Sequence, residues 1–259
     1  MLEANTGNKL YFISDTHFGV PNEKESKERE LLFCKWLDEI KKDASEIYLL
    51  GDIFDFWFEY KNVVPKGYVR VLGKLAELID SGIKVHYFTG NHDMWIFTYF
   101  EKELGIQMHK EPITFSFEGK TFMIGHGDGL GPGDKRYKFL KKVFACKFNQ
   151  RLFAFIHPWI GMGLAGYFSR KSRLSHNNED QIYLGDDKEW LLIYCKEEAE
   201  KQPIDFFIFG HRHLKIDKTF GENSRYINLG EWVHQRNYAV FENGELCLKE
   251  YIPSSERND

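Results

Sequence analysis

The chain has 259 residues, 42% of them hydrophobic and 29% charged, and a net charge of −4. That length suffices to bury a sizeable core in one domain, or in one domain carrying a large insertion. Residues 1–9 lack the apolar core of a signal peptide and no stretch approaches ~18 uninterrupted apolar residues, so export and membrane spanning are not expected and the cytoplasm is.

In chain order, Leu10–Ser14, Glu46–Leu50 and Lys84–Thr89 are short apolar runs of the kind that form buried strands. Between them, Glu23–Lys42 sets Leu31, Leu32, Trp36, Leu37 and Ile40 at helical spacing, and Val69–Ile79 does the same with Leu72, Leu75, Ala76 and Ile79. The opening therefore reads β-α-β-α-β. Ile113–Phe117 and Thr121–Ile124 flank Glu118-Gly119-Lys120 as a hairpin, and a turn follows over Gly125–Gly133. After 134–173 come a strand at Asp205–Phe209, preceded by a helix near Lys188–Lys201, and strands at Lys215–Phe220, Tyr226–Leu229, Tyr238–Phe241 and Glu245–Tyr251, with a tight turn at Asn243-Gly244. An α/β class with two mixed sheets fits this order. The tail from Pro253 is expected to fray. Cys34, Cys146, Cys195 and Cys247 are scattered among apolar residues without a CxxC pair, so reduced, buried thiols are expected and no thiolate metal site.

Segment 134–173 stands apart in charge. It holds ten basic residues against the single acid Asp134, a net +9 that leaves −13 for the rest of the chain. Phe139, Leu140, Val143, Phe144, Phe148, Leu152, Phe153, Phe155, Ile156 and Trp159 are interleaved with them. Basic amphipathic helices of this kind suit an anionic membrane surface or a groove for acyl chains, while a cap packed on the main domain with a solvated basic face is the plainer alternative.

Each buried strand ends in a polar cluster: Asp15-Thr16-His17, Gly51-Asp52, Gly90-Asn91-His92-Asp93, Gly125-His126-Gly127-Asp128 and Gly210-His211-Arg212-His213. In open α/β sheets ligands bind at the carboxyl ends of strands, so five clusters converge on one edge. In extended backbone residues i and i+2 point the same way, which would aim Asp15 with His17 and His211 with His213. The preceding glycines permit close approach of backbone to a crowded centre. Carboxylate, amide oxygen and imidazole without thiolate suit a pair of Mn²⁺, Fe or Zn²⁺ ions. Asp15, His17, Asp52, Asn91, His126, His211 and His213 are the candidate ligands, with Asp52 bridging. One such histidine alone would more often be a satisfied polar group at a strand end. Seven ligand-type residues together would leave too many polar groups unpaired without a cation.

In this order, these blocks resemble those of the calcineurin-like metallophosphoesterases, over Ile13–Leu229. The resemblance implies two packed mixed sheets flanked by helices. It further implies one metal on Asp15, His17, Asp52 and His213, and the other on Asp52, Asn91, His126 and His211. Two divalent ions outweigh the two carboxylates and acidify water for in-line attack on phosphorus. His92, beside a ligand but without a ligand role, is then the group for leaving-group protonation or transition-state stabilisation. Asp55 orients it or serves as a local turn or helix cap.

Within that superfamily the chain is most similar to the diphosphatases that cleave UDP-2,3-diacylglucosamine to UMP and lipid X in lipid A biosynthesis. The similarity rests on Gly51-Asp52-Ile53-Phe54-Asp55-Phe56-Trp57, on His126-Gly127-Asp128 followed by Asp134 and Tyr137, on the insertion, and on Leu229-Gly230-Glu231-Trp232. It implies a peripheral enzyme on the cytoplasmic face of the inner membrane, with Asn91, His92, Asp134, Tyr137, Arg170, Lys171 and Arg173 near substrate. The catalytic domain would comprise 1–133 and 174–259, and the cap 134–173. The chain departs at His92, where many of these diphosphatases carry arginine, and in Ser175–Asp187, which has acids where they place lysines. A nuclease with a basic, aromatic cap is the second reading, disfavoured by net charge −4. A noncatalytic scaffold is the third, disfavoured because every ligand type and His92 are present. No nucleic acid or protein partner is expected. His86, His109, His157, His176 and His234 take packing or surface roles, and Trp57 and Trp232 are pocket wall or core.

Overall fold

The computed structural model describes residues 7–133, 135–176, 182, 183 and 185–256, the side chains of 170–176 and 255 excepted. Four parallel strands, β1 (Lys9–Ile13), β2 (Ala44–Leu50), β3 (Lys84–Phe88) and β4 (Gln107–His109), form one side of the first sheet. The crossovers run through α1 (Glu23–Ile40) and α2 (Val69–Asp80). A π-helical turn at Phe100–Leu104 leads into β4. That three-residue strand carries no periodic apolar signal, and sequence reading misses it. The second sheet contains β5 (Ile113–Phe117), β6 (Lys120–Ile124), β7 (Phe206–Phe209), β8 (Lys215–Phe220) and β9 (Ser224–Leu229) in the order β5-β6-β7-β9-β8. The chain ends by returning β10 (Asn237–Glu242) antiparallel to β1, with β11 (Glu245–Glu250) outside it.

Three apolar layers hold this αββα sandwich together. One lies between α1, α2 and the first sheet, where Phe33, Trp36, Trp57 and Trp232 are buried. Phe12, Tyr48, Phe122 and Phe241 fill the space between the sheets. The third sits under α6 (Trp190–Ala199), around Leu191, Cys195 and Phe207. β1 and β7 are covered on both faces and so read as unbroken apolar runs. Trp57 and Trp232 are core residues, fully buried.

The insertion forms α3 (Lys135–Ala145), α4 (Lys147–Ala154) and α5 (Pro158–His176), which continues past 173. α3 and α4 bury no residue. Phe139, Phe148, Phe155, Trp159 and Phe168 are all exposed, Phe155 by 88% and Trp159 by 80%. Phe153 is an exception, packing its ring on Phe58 and Trp95.

Two expectations fail. Cys195 alone among the four cysteines is fully buried, and Cys146 and Cys247 are exposed because they sit on the insertion and on the outer strand β11. The tail is held as far as Glu256, which forms a 3₁₀ turn with Ser254 and Ser255 and pairs with Arg236 at 3.1 Å.

Candidate metal centre

The carboxyl ends of β1, β2, β3, β6 and β7 converge across both sheets, and the seven candidate ligands meet there. Each aspartate divides its oxygens between scaffold and site. Asp15 Oδ2 accepts from the His211 amide at 3.0 Å, while Oδ1 lies 3.2 Å from His213 Nε2 and 3.8 Å from His17 Nε2. Asp52 Oδ1 accepts from the His92 amide at 2.8 Å, while Oδ2 lies 3.3 Å from His126 Nε2 and 4.0 Å from His17 Nε2. His17 Nε2 and His213 Nε2 face each other at 3.1 Å, and His126 Nε2 faces Asn91 Oδ1 at 3.3 Å. Asp15, His17 and His213 form one group able to hold a metal ion; Asp52, His126 and His211 form another. Asp52 Oδ2 lies between the two.

Backbone conformation aims these donors differently from the extended chain expected. Asp15, His17, Asp52, His211 and His213 all have positive φ, from 43° to 69°. The paired donors therefore converge through left-handed turns rather than by strand alternation. Each such residue costs on the order of 1–3 kcal/mol, a strain characteristic of functional sites. Glycine is required at two crossings: a Cβ on Gly90 would lie 2.2 Å from Asp52 Oδ1, and one on Gly210 2.5 Å from Asp15 Oδ2. Gly125 does not serve this purpose, since its nearest neighbour is Pro112.

The residues fit divalent ions. Ligands held at about 2.0–2.2 Å from an ion lie roughly 3–3.5 Å apart, the spacing of the His17–His213, Asp15–His213, Asp52–His126 and Asn91–His126 pairs. Asp15 Oδ1 is buried and makes no hydrogen bond. His126 Nδ1 donates to the Leu50 carbonyl at 2.8 Å, so that in a neutral ring the Nε2 lone pair is directed into the site. Burial disfavours a charged His126, but Asp52, Asp15 and Asp128 outweigh it and push the pKa up to about 10. Burial, with His126 alongside, takes neighbouring His211 down to about 4. Clustered carboxylates thus call for positive charge that adjacent imidazoles cannot all carry, and a divalent cation supplies it.

A family model described as calcineurin-like phosphoesterase matches residues 9–215. The chain belongs to that family. Among the relatives of this phosphoesterase, a UDP-2,3-diacylglucosamine hydrolase of Porphyromonas gingivalis is 39% identical over 253 residues, covering 93% of this chain and 97% of that protein. A UDP-2,3-diacylglucosamine hydrolase of Haemophilus influenzae is 27% identical over 232 residues, covering 88% and 92%. The solved structure of Yfce, a phosphoesterase from E. coli, covers 92% of this chain and 90% of its own at 18% identity and TM-score 0.41.

Sequence reading missed the groups that brace this phosphoesterase site. Asp93 is fully buried and accepts from the amides of Gly90 (2.7 Å), Ile53 (2.9 Å) and Phe54 (3.3 Å) and from the Tyr87 hydroxyl, pinning two ligand loops together. Burial, reinforced by Asp52, raises it to about 6. Arg29, on α1, donates to the carbonyls of Thr16 and His17 at 2.8 Å each and to that of Val20. Arg212, between His211 and His213, is buried against Glu189 at 3.3 Å. Only Asp93 had a signal, its place in the Gly-Asn-His-Asp block; α1 gives no sign that its single arginine turns inward.

His92 Nδ1 lies 2.9 Å from the Asp55 carbonyl, and Asp55 Oδ1 lies 3.6 Å from both His92 Nδ1 and His17 Nδ1. Tyr137 donates to Asp128 Oδ2 at 2.6 Å, its ring 6.1 Å from that of His211. Asp134 lies outside the described residues. Arg170, Lys171 and Arg173 lie along α5, and their side chains are outside the description. A small cavity of about 10 Å³ beside His126 is lined by Thr89, Lys110, Glu111 and Lys141 among others.

Proposed function

We propose that this phosphoesterase hydrolyses the pyrophosphate of UDP-2,3-diacylglucosamine to UMP and 2,3-diacylglucosamine 1-phosphate. Identity of 39% along 97% of a UDP-2,3-diacylglucosamine hydrolase is the observation that carries the reading. Asp15, His17, Asp52 and His213 would hold one ion and Asp52, Asn91, His126 and His211 the other, with Mn²⁺ the expected metal. When bound, the pair supplies Lewis acidity towards the phosphoryl oxygens and acidifies water. A carbonyl oxygen can only accept, so the hydrogen in the His92–Asp55 bond is on Nδ1 and His92 Nε2 is left to face substrate. Protonated, it donates to the leaving oxygen. Lys110, beside the cavity at His126, offers a cation for a phosphate where Ser175–Asp187 provides none. Tyr137, Asp134, Arg170 and Arg173 are the residues the reading assigns to the sugar and phosphate of the substrate.

Catalysis takes place at the cytoplasmic face of the inner membrane, where the exposed rings of α3–α5 enter the anionic interface and their basic residues meet its headgroups. No helix among the described residues is long and apolar enough to cross a membrane. The test is manganese-dependent UMP release from the lipid substrate by the wild type and Asp52→Asn, beside a bis-aryl phosphodiester. Release lost in the variant supports the assignment. Turnover confined to the aryl ester keeps the phosphoesterase and removes the lipid.

A further inference from the structure

The cap touches the reaction centre through a buried polar contact. Ser169 Oγ, on α5, donates to Asp55 Oδ2 at 2.9 Å across 114 positions of chain, and Ser169 is 9% exposed. With Oδ2 engaged, Asp55 turns Oδ1 between His17 Nδ1 and His92 Nδ1, 3.6 Å from each, while its main-chain carbonyl holds the His92 ring. Nearer the start of α5, Gly161 packs on Tyr60 so closely that a Cβ would lie 2.5 Å from the Tyr60 hydroxyl oxygen. Asp55 and Tyr60 belong to the same segment after β2. The helix is thus seated at two points on the segment that orients His92, while Leu164, Tyr167 and Phe168 remain exposed.

We propose that Ser169 is a positioning residue, tying the cap helix to Asp55 so that His92 is aligned with the leaving oxygen only when α5 is seated. The inference rests on the assignment of His92 to leaving-group protonation and deepens it. In that step the oxygen of a water that has given one proton to solvent forms the new bond to phosphorus, the bond to the leaving oxygen breaks with its electron pair, and the proton on His92 Nε2 goes to that oxygen, His92 being reprotonated from solvent. Alignment within roughly 0.5 Å is what such transfer requires, and a loosened Asp55 forfeits it. The loss is greatest for a leaving group that needs the proton and small for one that departs as a stable anion.

The experiment compares wild type, Ser169→Ala, Ser169→Thr and His92→Ala, loaded with Mn²⁺, on methyl aryl phosphodiesters whose phenols span a range of acidity. Bound manganese and melting temperature are measured for each. Ser169→Ala is expected to lower kcat about tenfold on the phenyl ester and less than about threefold on the p-nitrophenyl ester, with KM and metal content unchanged. Ser169→Thr, which keeps the hydroxyl, restores the phenyl rate. A uniform loss across the series, or no loss, in Ser169→Ala while His92→Ala shows the leaving-group dependence overturns the role of Ser169 alone. A flat series in His92→Ala overturns the assignment of His92 on which it rests.

Discussion

At Asp52 the backbone stands at φ 52°, one carboxylate oxygen holds the His92 amide, and the other points between two groups of nitrogen donors. Nothing larger than hydrogen fits on Gly90 beside it. Gly90→Ala is therefore expected to displace Asp52 and abolish manganese binding, read by metal titration, while the fold persists by circular dichroism. Full metal affinity in that variant would refute the crowding argument. His92→Ala should leave metal content intact and lower kcat on the order of 10²–10⁴-fold for poor leaving groups. Asp93 acts through the loops it ties, so Asp93→Asn, which leaves one acceptor oxygen where there were two, is expected to weaken metal affinity roughly 10–100-fold. An unchanged affinity would make Asp93 a folding residue only.

Among the elements, α1 reaches the site through Arg29, whose planar fork satisfies carbonyls of the Asp15–Val20 loop. Lysine cannot reproduce that fork, so Arg29→Lys should loosen the loop and weaken metal binding. A second element-scale prediction concerns strands β2 and β3, where Glu46 accepts from His86 at 3.2 Å, from the Tyr48 hydroxyl at 2.5 Å and from Lys84 at 3.1 Å. The His86 bond, ahead of those from Tyr48 and Lys84, overcomes burial and lowers Glu46 from 4.5 to about 2. A carboxylate lowered on folding stabilises fully above its unfolded pKa and loses that contribution as pH falls through the folded value. The stability gap between wild type and Glu46→Gln, from urea unfolding, should be constant above pH 4.5 and close towards pH 2. Its ceiling is about 3 kcal/mol, reduced by solvent screening at the half-open edge. A gap independent of pH would remove Glu46 as the cause.

At the scale of the whole molecule, the basic segment and the exposed rings coincide on α3–α5, away from the three apolar layers of the sandwich. The charge of 134–173 is opposite in sign to the rest, which on the proposed reading would orient the molecule towards an anionic surface. Phe155→Ser with Trp159→Ser should weaken binding to vesicles containing phosphatidylglycerol by about tenfold or more, given the area of two aromatic rings. Turnover of a soluble aryl ester should be unaffected. Equal vesicle binding by wild type and the double variant would overturn the surface assignment.

The sequence by itself determined the class of fold and the seven residues that meet at the sheet edge. Strands covered on both faces must be apolar throughout, and the polar clusters that interrupt them are conspicuous for that reason. It marked 134–173 as a basic, aromatic segment, but not whether those rings turn inward or out, because an exposed apolar helix and a packed one have the same periodicity. Only the tertiary structure decided that most of them face outward, while Phe153 packs inward on Phe58 and Trp95. It also decided that Asp15, His17, His211 and His213 sit in left-handed rather than extended backbone, since strain of that kind is imposed by contacts from distant strands. Arg29 and Ser169 were legible only there, because a partner 12 or 114 positions away leaves no local pattern in either segment.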